Sequence, residues 1–200
     1  MLFRSKLFEQ YGSTIKGLTT NPSKENLEKA NVYIIVDADT PKETEKPNYI
    51  SEPEISIIEN WVKSGGKLVL MQNDKGNAEF EHLNQLTKKF GFQFLEDSDN
   101  KVTNRVWDMG KFDNLPNHPI FEDVKKIYMK EIPSIKIEDK GKAILERDGK
   151  VYIAEFKIGK GSLVAICDPW FYNEYLDGRL LPLEFENFKT ATNLTKWLLK

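Results

Sequence analysis

The sequence predicts a three-layer α/β fold: a mostly parallel sheet covered by helices, with an antiparallel C-terminal extension. Two short apolar runs, Val32–Val36 and Lys67–Met71, read as strands buried on both faces. Segments with helical spacing separate them from each other and from a further strand at Phe92–Leu95. The turn Asp148-Gly149 between two alternating runs then predicts a hairpin in the second half.

Residues 2–11 carry Phe3, Leu7 and Phe8 near helical spacing, and Gly12 ends them as a C-cap glycine does. A short strand is expected around Thr14–Leu18. Asn21-Pro22-Ser23 then breaks the chain before a helical turn at Lys24–Ala30. Ser51-Glu52-Pro53-Glu54 is a capping-box match, with proline in the first turn where a missing N–H costs nothing. Ile55, Ile58 and Val62 line one face of the helix that follows, until Ser64-Gly65-Gly66 stops it. Asn77 is expected to cap a third helix with the stripe Phe80, Leu83, Leu86 and Phe90.

Residues 97–125 are polar, anchored by Trp107, Phe112, Pro116 and Pro119. The hairpin Ala143–Arg147 with Lys150–Lys157 follows, then the tight turn Gly159-Lys160-Gly161 and a strand at Ser162–Cys167. A closing helix at Phe185–Leu199 shows Phe188, Ala191, Leu194 and Leu198 on one side. The 200 residues, 40% of them hydrophobic, suit a single domain spanning 1–200.

A net charge of -2, with lysines interleaved among glutamates, disfavours nucleic acid as a partner. No apolar stretch reaches the length of a membrane span, so no membrane partner is expected. One cysteine, Cys167, excludes an intrachain disulfide and a cysteine-based metal cluster.

Open α/β sheets bind ligands where strands end and helices begin, because backbone N–H groups and helix dipoles converge there. Three such turns are unusually polar. They supply the candidate ligand-binding residues Asp37 and Asp39, then Asn73, Asp74 and Asn77, and finally Asp168, Trp170, Asn173, Glu174 and Arg179. Taken singly, Asp and Asn after strands make turns and caps. Three such turns at one predicted edge point further, to a shared ligand site. Trp170, Tyr172 and Tyr175 offer flat surfaces for a sugar ring, or pack in the core. Asp37, Asp39, Asn73 and Asp74 also have the oxygen donors of a hard-cation site. Their spacing matches no EF-hand loop, and neither metal nor cofactor is expected.

A cysteine hydrolase of this architecture carries its thiol on a strained turn directly after a buried strand. Here Gln72, Asn73 and Asp74 follow Lys67–Met71, and none is such a nucleophile. Cys167 ends another strand beside Asp168, whose charge would raise a thiol pKa. Catalytic residues are therefore expected to be none.

Val36-Asp37-Ala38-Asp39-Thr40, Gln72–Asn77 and the run from Asp168 to Pro182 resemble one known module. It is the domain that follows the (α/α)-barrel of Bacteroidetes unsaturated rhamnogalacturonyl hydrolases. The resemblance implies a flavodoxin-like, class I glutamine amidotransferase-like fold acting as an accessory domain of a pectin-degrading glycosidase, periplasmic or secreted. The expected function is non-catalytic: binding a carbohydrate ligand, or packing against the barrel. The alternative is a carboxylate- or metal-dependent hydrolase acting on carbohydrate in its own right.

Overall fold

The computed structural model describes residues 3–172 and 181–200. Two compact units emerge, one formed by Met1–Gly17, Asn100–Glu131 and Trp170–Lys200, the other by Leu18–Asp99 and Ile132–Pro169.

The second unit holds a seven-stranded sheet: β1 (Val32–Val36), β2 (Lys67–Met71), β3 (Phe92–Asp99), β6 (Ile132–Ile137), β7 (Gly141–Arg147), β8 (Lys150–Ile158) and β9 (Gly161–Ile166). The strands run in the order β1-β2-β9-β8-β6-β3, with β7 also paired to β8. This overturns the mostly parallel, flavodoxin-like and glutamine amidotransferase-like expectation. The sheet is mixed and strongly curled into a half-barrel. Among the described residues of this sheet only β1–β2 and β2–β9 pair in parallel, whereas β3–β6, β6–β8, β7–β8 and β8–β9 are antiparallel.

The reason lies in burial. Leu163, Val164, Ala165 and Ile166 are apolar on both faces of β9, and a central position beside β2 buries all four. The second half of β3, Glu96–Asp99, is polar, so that strand goes to the opposite edge. Its register there shifts between Leu95 and Asp99. The run Val32–Val36 also departs from expectation. It forms β1 as an edge strand with all five residues half-buried, rather than buried on both faces.

Three helices belong to this unit: α2 (Lys24–Leu27), α3 (Glu52–Ser64) and α4 (Glu81–Lys88). Ser51 starts α3 as the sequence predicts: its N–H and its hydroxyl donate to Glu54 Oε2 at 2.6 and 2.8 Å. Ile55, Ile58 and Val62 are buried beneath it. α3 packs against β9 and α4 against β3, and the two helices touch, so they share one side of the sheet. The hairpin turn is the expected one. Asp148 and Gly149 have φ of 54° and 77°, the left-handed pair of a type I′ turn.

The first unit contains α1 (Phe3–Gln10), β4 (Lys111–Phe112), β5 (Ile127–Tyr128), α5 (Asn187–Leu199) and 3-10 turns at Trp107–Gly110 and Pro119–Phe121; a third such turn, Pro169–Tyr172, starts on the last residue of the second unit. Tyr128, Leu181 and Phe185 form a core cluster, with Val102 and Trp107 packed against it. Asn187 anchors α5 to β5: its Oδ1 accepts from the Tyr128 N–H at 2.8 Å and its Nδ2 donates to Tyr128 O at 2.7 Å. Ala191, Leu194 and Leu198 lie on the buried face of α5 as expected, and only Phe188 departs from it, its place taken by Asn187. The expected strand at Thr14–Leu18 is absent, and residues 13–18 have no regular structure.

Candidate functional site

The parallel ladder aligns the carboxyl ends of three strands, because Val36 pairs with Met71 and Met71 with Ile166. Pairing continues one step beyond the strands. The Asp37 N–H donates to Met71 O at 2.8 Å, and the Gln72 N–H donates to Ile166 O at 3.0 Å. Asp37, Gln72 and Cys167 thus stand side by side, with Asn73 and Asp168 one residue on. Asp37 has φ of 53°, a left-handed bend that an aspartate tolerates and that turns the chain out of the sheet.

Across this edge Asn73 Nδ2 donates to Asp37 Oδ2 at 3.3 Å. Gln72 ties the first loop to the segment that leads into α4: its Oε1 accepts from the Ala38 N–H at 3.4 Å and its Nε2 donates to Glu79 O at 2.7 Å. Asn77 does not cap the helix. It donates to Asp74 Oδ1 at 2.6 Å, while the Glu79 carboxylate accepts from the His82 and Leu83 N–H groups and does the capping.

Asp74 carries the network toward β3. It accepts from the Ser98 hydroxyl, and the next residue's N–H donates to Asp97 O at 3.1 Å. Here lies a group that sequence reasoning missed. Lys150 Nζ stands 3.0 Å from Asp97 Oδ2 and 2.7 Å from Asp99 Oδ2. Tyr152 donates to the same Asp99 oxygen at 3.0 Å, and Ser134 donates to Asp97 through both N–H and hydroxyl at 2.7 Å. The signal was available: Asp97 and Asp99 are two apart on a strand, hence on one face.

Charge follows from this geometry. Partial burial alone would raise the Asp97 carboxyl, but hydrogen bonds from Ser134 and Lys150 outweigh it and hold it below its ordinary value. The bonds to Asp99 and Asp97 push the Lys150 ammonium up. Burial, then the hydrogen bond to Asp99, raises Tyr152 to about 12. The Cys167 thiol is fully buried and pushed well up, by burial first and by Asp97, Asp168 and Asp99 after it. It has none of the thiolate character of a nucleophile.

Of the sequence candidates, Asp37, Asn73, Asp74 and Asn77 are brought together, and Asp168 is buried at the end of β9. Asp39 faces a cavity of about 470 Å³ that opens beside β1. Trp170 is exposed and belongs to the other unit. Asn173, Glu174, Tyr175 and Arg179 lie outside the described residues. Among the described residues, no group of three or more histidine, cysteine or acidic side chains is arranged to hold a metal ion. Nor, among them, is any helix long and apolar enough to cross a membrane.

No family model matches the chain, and no curated protein matches it. Solved structures do. The N-terminal domain of mmIFT52 superposes with a TM-score of 0.78 at 16% identity, covering 100% of this chain and 91% of that one. The cytoplasmic protein STM1381 from Salmonella typhimurium LT2 gives 0.64 at 12% identity, over 96% of this chain and 85% of that one. The exo-beta-1,4-mannosidase Op5Man5 from Opitutaceae bacterium strain TAV5 gives 0.55 at 12% identity, over 98% of this chain and 30% of that one. At such identities the likeness is one of fold.

Proposed function

We propose that this chain is a non-catalytic accessory domain that binds carbohydrate at the carboxyl edge of its sheet, in the service of rhamnogalacturonan breakdown. The observation that carries the binding half is the Asn73–Asp37 contact, set in a hydrogen-bonded edge that continues through Asp74 and Ser98. Amides and carboxylates at fixed spacing present the donors and acceptors that sugar hydroxyls require.

The non-catalytic half rests on the turn after β2, where Gln72 and Asn73 offer no nucleophile, and on the buried Cys167. The mannosidase supports an accessory role, since the matched fold there is only 30% of a larger glycosidase.

Charge refines the ligand. Asp37, Asp74, Asp97, Asp99 and Asp168 crowd this edge, and Lys150 is already shared by two of them. A uronate carboxylate meets repulsion here, whereas neutral rhamnose hydroxyls meet acceptors. Calorimetric titration tests this with rhamnose-terminated oligosaccharides, using polygalacturonate as the control. The expected result is heat with the former, lost in Asn73→Ala while circular dichroism is unchanged. Absence of heat from the wild-type chain would defeat the reading. Release of sugar by the chain alone would move it to a carboxylate-dependent hydrolase.

A further inference from the structure

The outer edge of β1 is an open hydrogen-bonding row. In a parallel ladder one strand's alternate residues face its partner. The Lys67 N–H donates to Asn31 O and the Asp37 N–H to Met71 O, so residues 31, 33, 35 and 37 turn toward β2. Val32, Ile34 and Val36 therefore aim both N–H and C=O away from the sheet, where no backbone partner meets them among the described residues. β1 also lacks protective residues within the strand itself. Native edge strands are usually blunted by lysine, proline or a bulge, and Val-Tyr-Ile-Ile-Val carries none. The β3 edge differs: it has acidic residues and a register shift.

Along this row runs the cavity of about 470 Å³. The backbone of residues 33–39 forms one wall, and segments around Asn21 and Asn48 form another, held by a bond from Asn48 Nδ2 to Asn21 Oδ1 at 2.7 Å. Its charged lining residues are Asp37, Asp39, Glu54 and Glu79, with no lysine or arginine among them. Tyr33 and Tyr49 add aromatic surface, and Tyr49 is fixed by stacking on His82 at 4.3 Å. A free strand edge selects an extended backbone, and four carboxylates select cationic side chains.

We propose that this edge docks an extended, lysine- or arginine-bearing peptide segment of a partner protein, which joins the sheet beyond β1. The inference shares Asp37 with the carbohydrate reading but does not rest on it. Asn73→Ala is expected to remove sugar binding and leave peptide binding intact.

Amide hydrogen exchange read by NMR tests it with three synthetic probes on the wild-type chain. These are a peptide of alternating lysine and valine, its counterpart with glutamate for lysine, and the lysine peptide N-methylated at every second residue. The expected result is at least about tenfold slower exchange at Val32, Ile34 and Val36 with the first probe alone, and weaker protection in Asp39→Asn. Three results would overturn the proposal: no protection, equal protection by the glutamate or N-methylated peptide, or protection spread evenly over the sheet.

Discussion

Asn73 Nδ2 donates to Asp37 Oδ2 at 3.3 Å, joining the carboxyl ends of two neighbouring parallel strands. Replacing Asn73 with aspartate keeps the acceptor that its own Oδ1 offers to the Asp74 N–H and sets a second carboxylate against Asp37. Loss of the bond and like-charge repulsion are expected to lower stability by about 1–2 kcal/mol near pH 7. Urea unfolding at neutral and acid pH checks this, and the deficit should shrink as the carboxylates are protonated.

Lys150→Met removes the cation shared by Asp97 and Asp99. The pair is half-exposed, so the expected loss is only about 1 kcal/mol at pH 7. Its pH dependence is more telling. The folded Asp97 carboxyl lies below its ordinary 3.8. Its contribution is thus present above about pH 4 and disappears as pH falls through the folded value. The wild-type unfolding midpoint should drop on that acid limb. The variant should start lower and fall less.

Tyr152 should ionise near 12 rather than at the ordinary 10.0. Between those values the unfolded chain loses its proton and the folded chain keeps it, so stability declines as pH rises through that window. Ultraviolet titration of the phenolate in wild type and Tyr152→Phe isolates this group. A transition at ordinary tyrosine pH would contradict the burial and the Asp99 bond.

Cys167 should resist alkylation in the native protein at about pH 8 and react fully once unfolded. Mass spectrometry after brief labelling reads this directly. Rapid native labelling would mean that the end of β9 opens easily.

Gly161 begins β9 where backbones crowd. An added Cβ would lie 2.1 Å from Val62 O and 2.3 Å from Gly66 O, atoms that no side-chain rotation can move aside. Gly161→Ala should therefore cost about 2–3 kcal/mol or more, seen as a lowered thermal midpoint. Gly149→Ala provides the contrast: nothing stands near its Cβ, and only its φ of 77° resists.

Local features of the fold were legible wherever chemistry is local. The capping box at Ser51, the Asp148-Gly149 turn and the apolar runs of β1 and β2 each fix a structure by neighbouring residues. Strand order was not, because it depends on partners far away in sequence. Five apolar residues in a row do not reveal that β1 is an edge. β6 escaped notice because Pro133 argues against a strand interior and Glu131 enters it at φ of 51°. The candidate site divides in the same way. Asp37, Asn73 and Asp74 follow obvious strands, whereas Asp97 and Asp99 extend a strand whose polar half read as loop. Lys150 reaches them only because the hairpin brings it back.

β9 has β2 on one flank in parallel and β8 on the other in antiparallel. While the ribosome is still working toward residue 161, β2 presents a row of unmet amides with the apolar Leu68, Val69 and Leu70 beside it. β8 stands equally bare on its facing side. The six-residue β9, the last of the described strands in chain order, is thus the one that joins two half-sheets. The sheet closes only once β9 is in place, and until then two strand edges stay exposed.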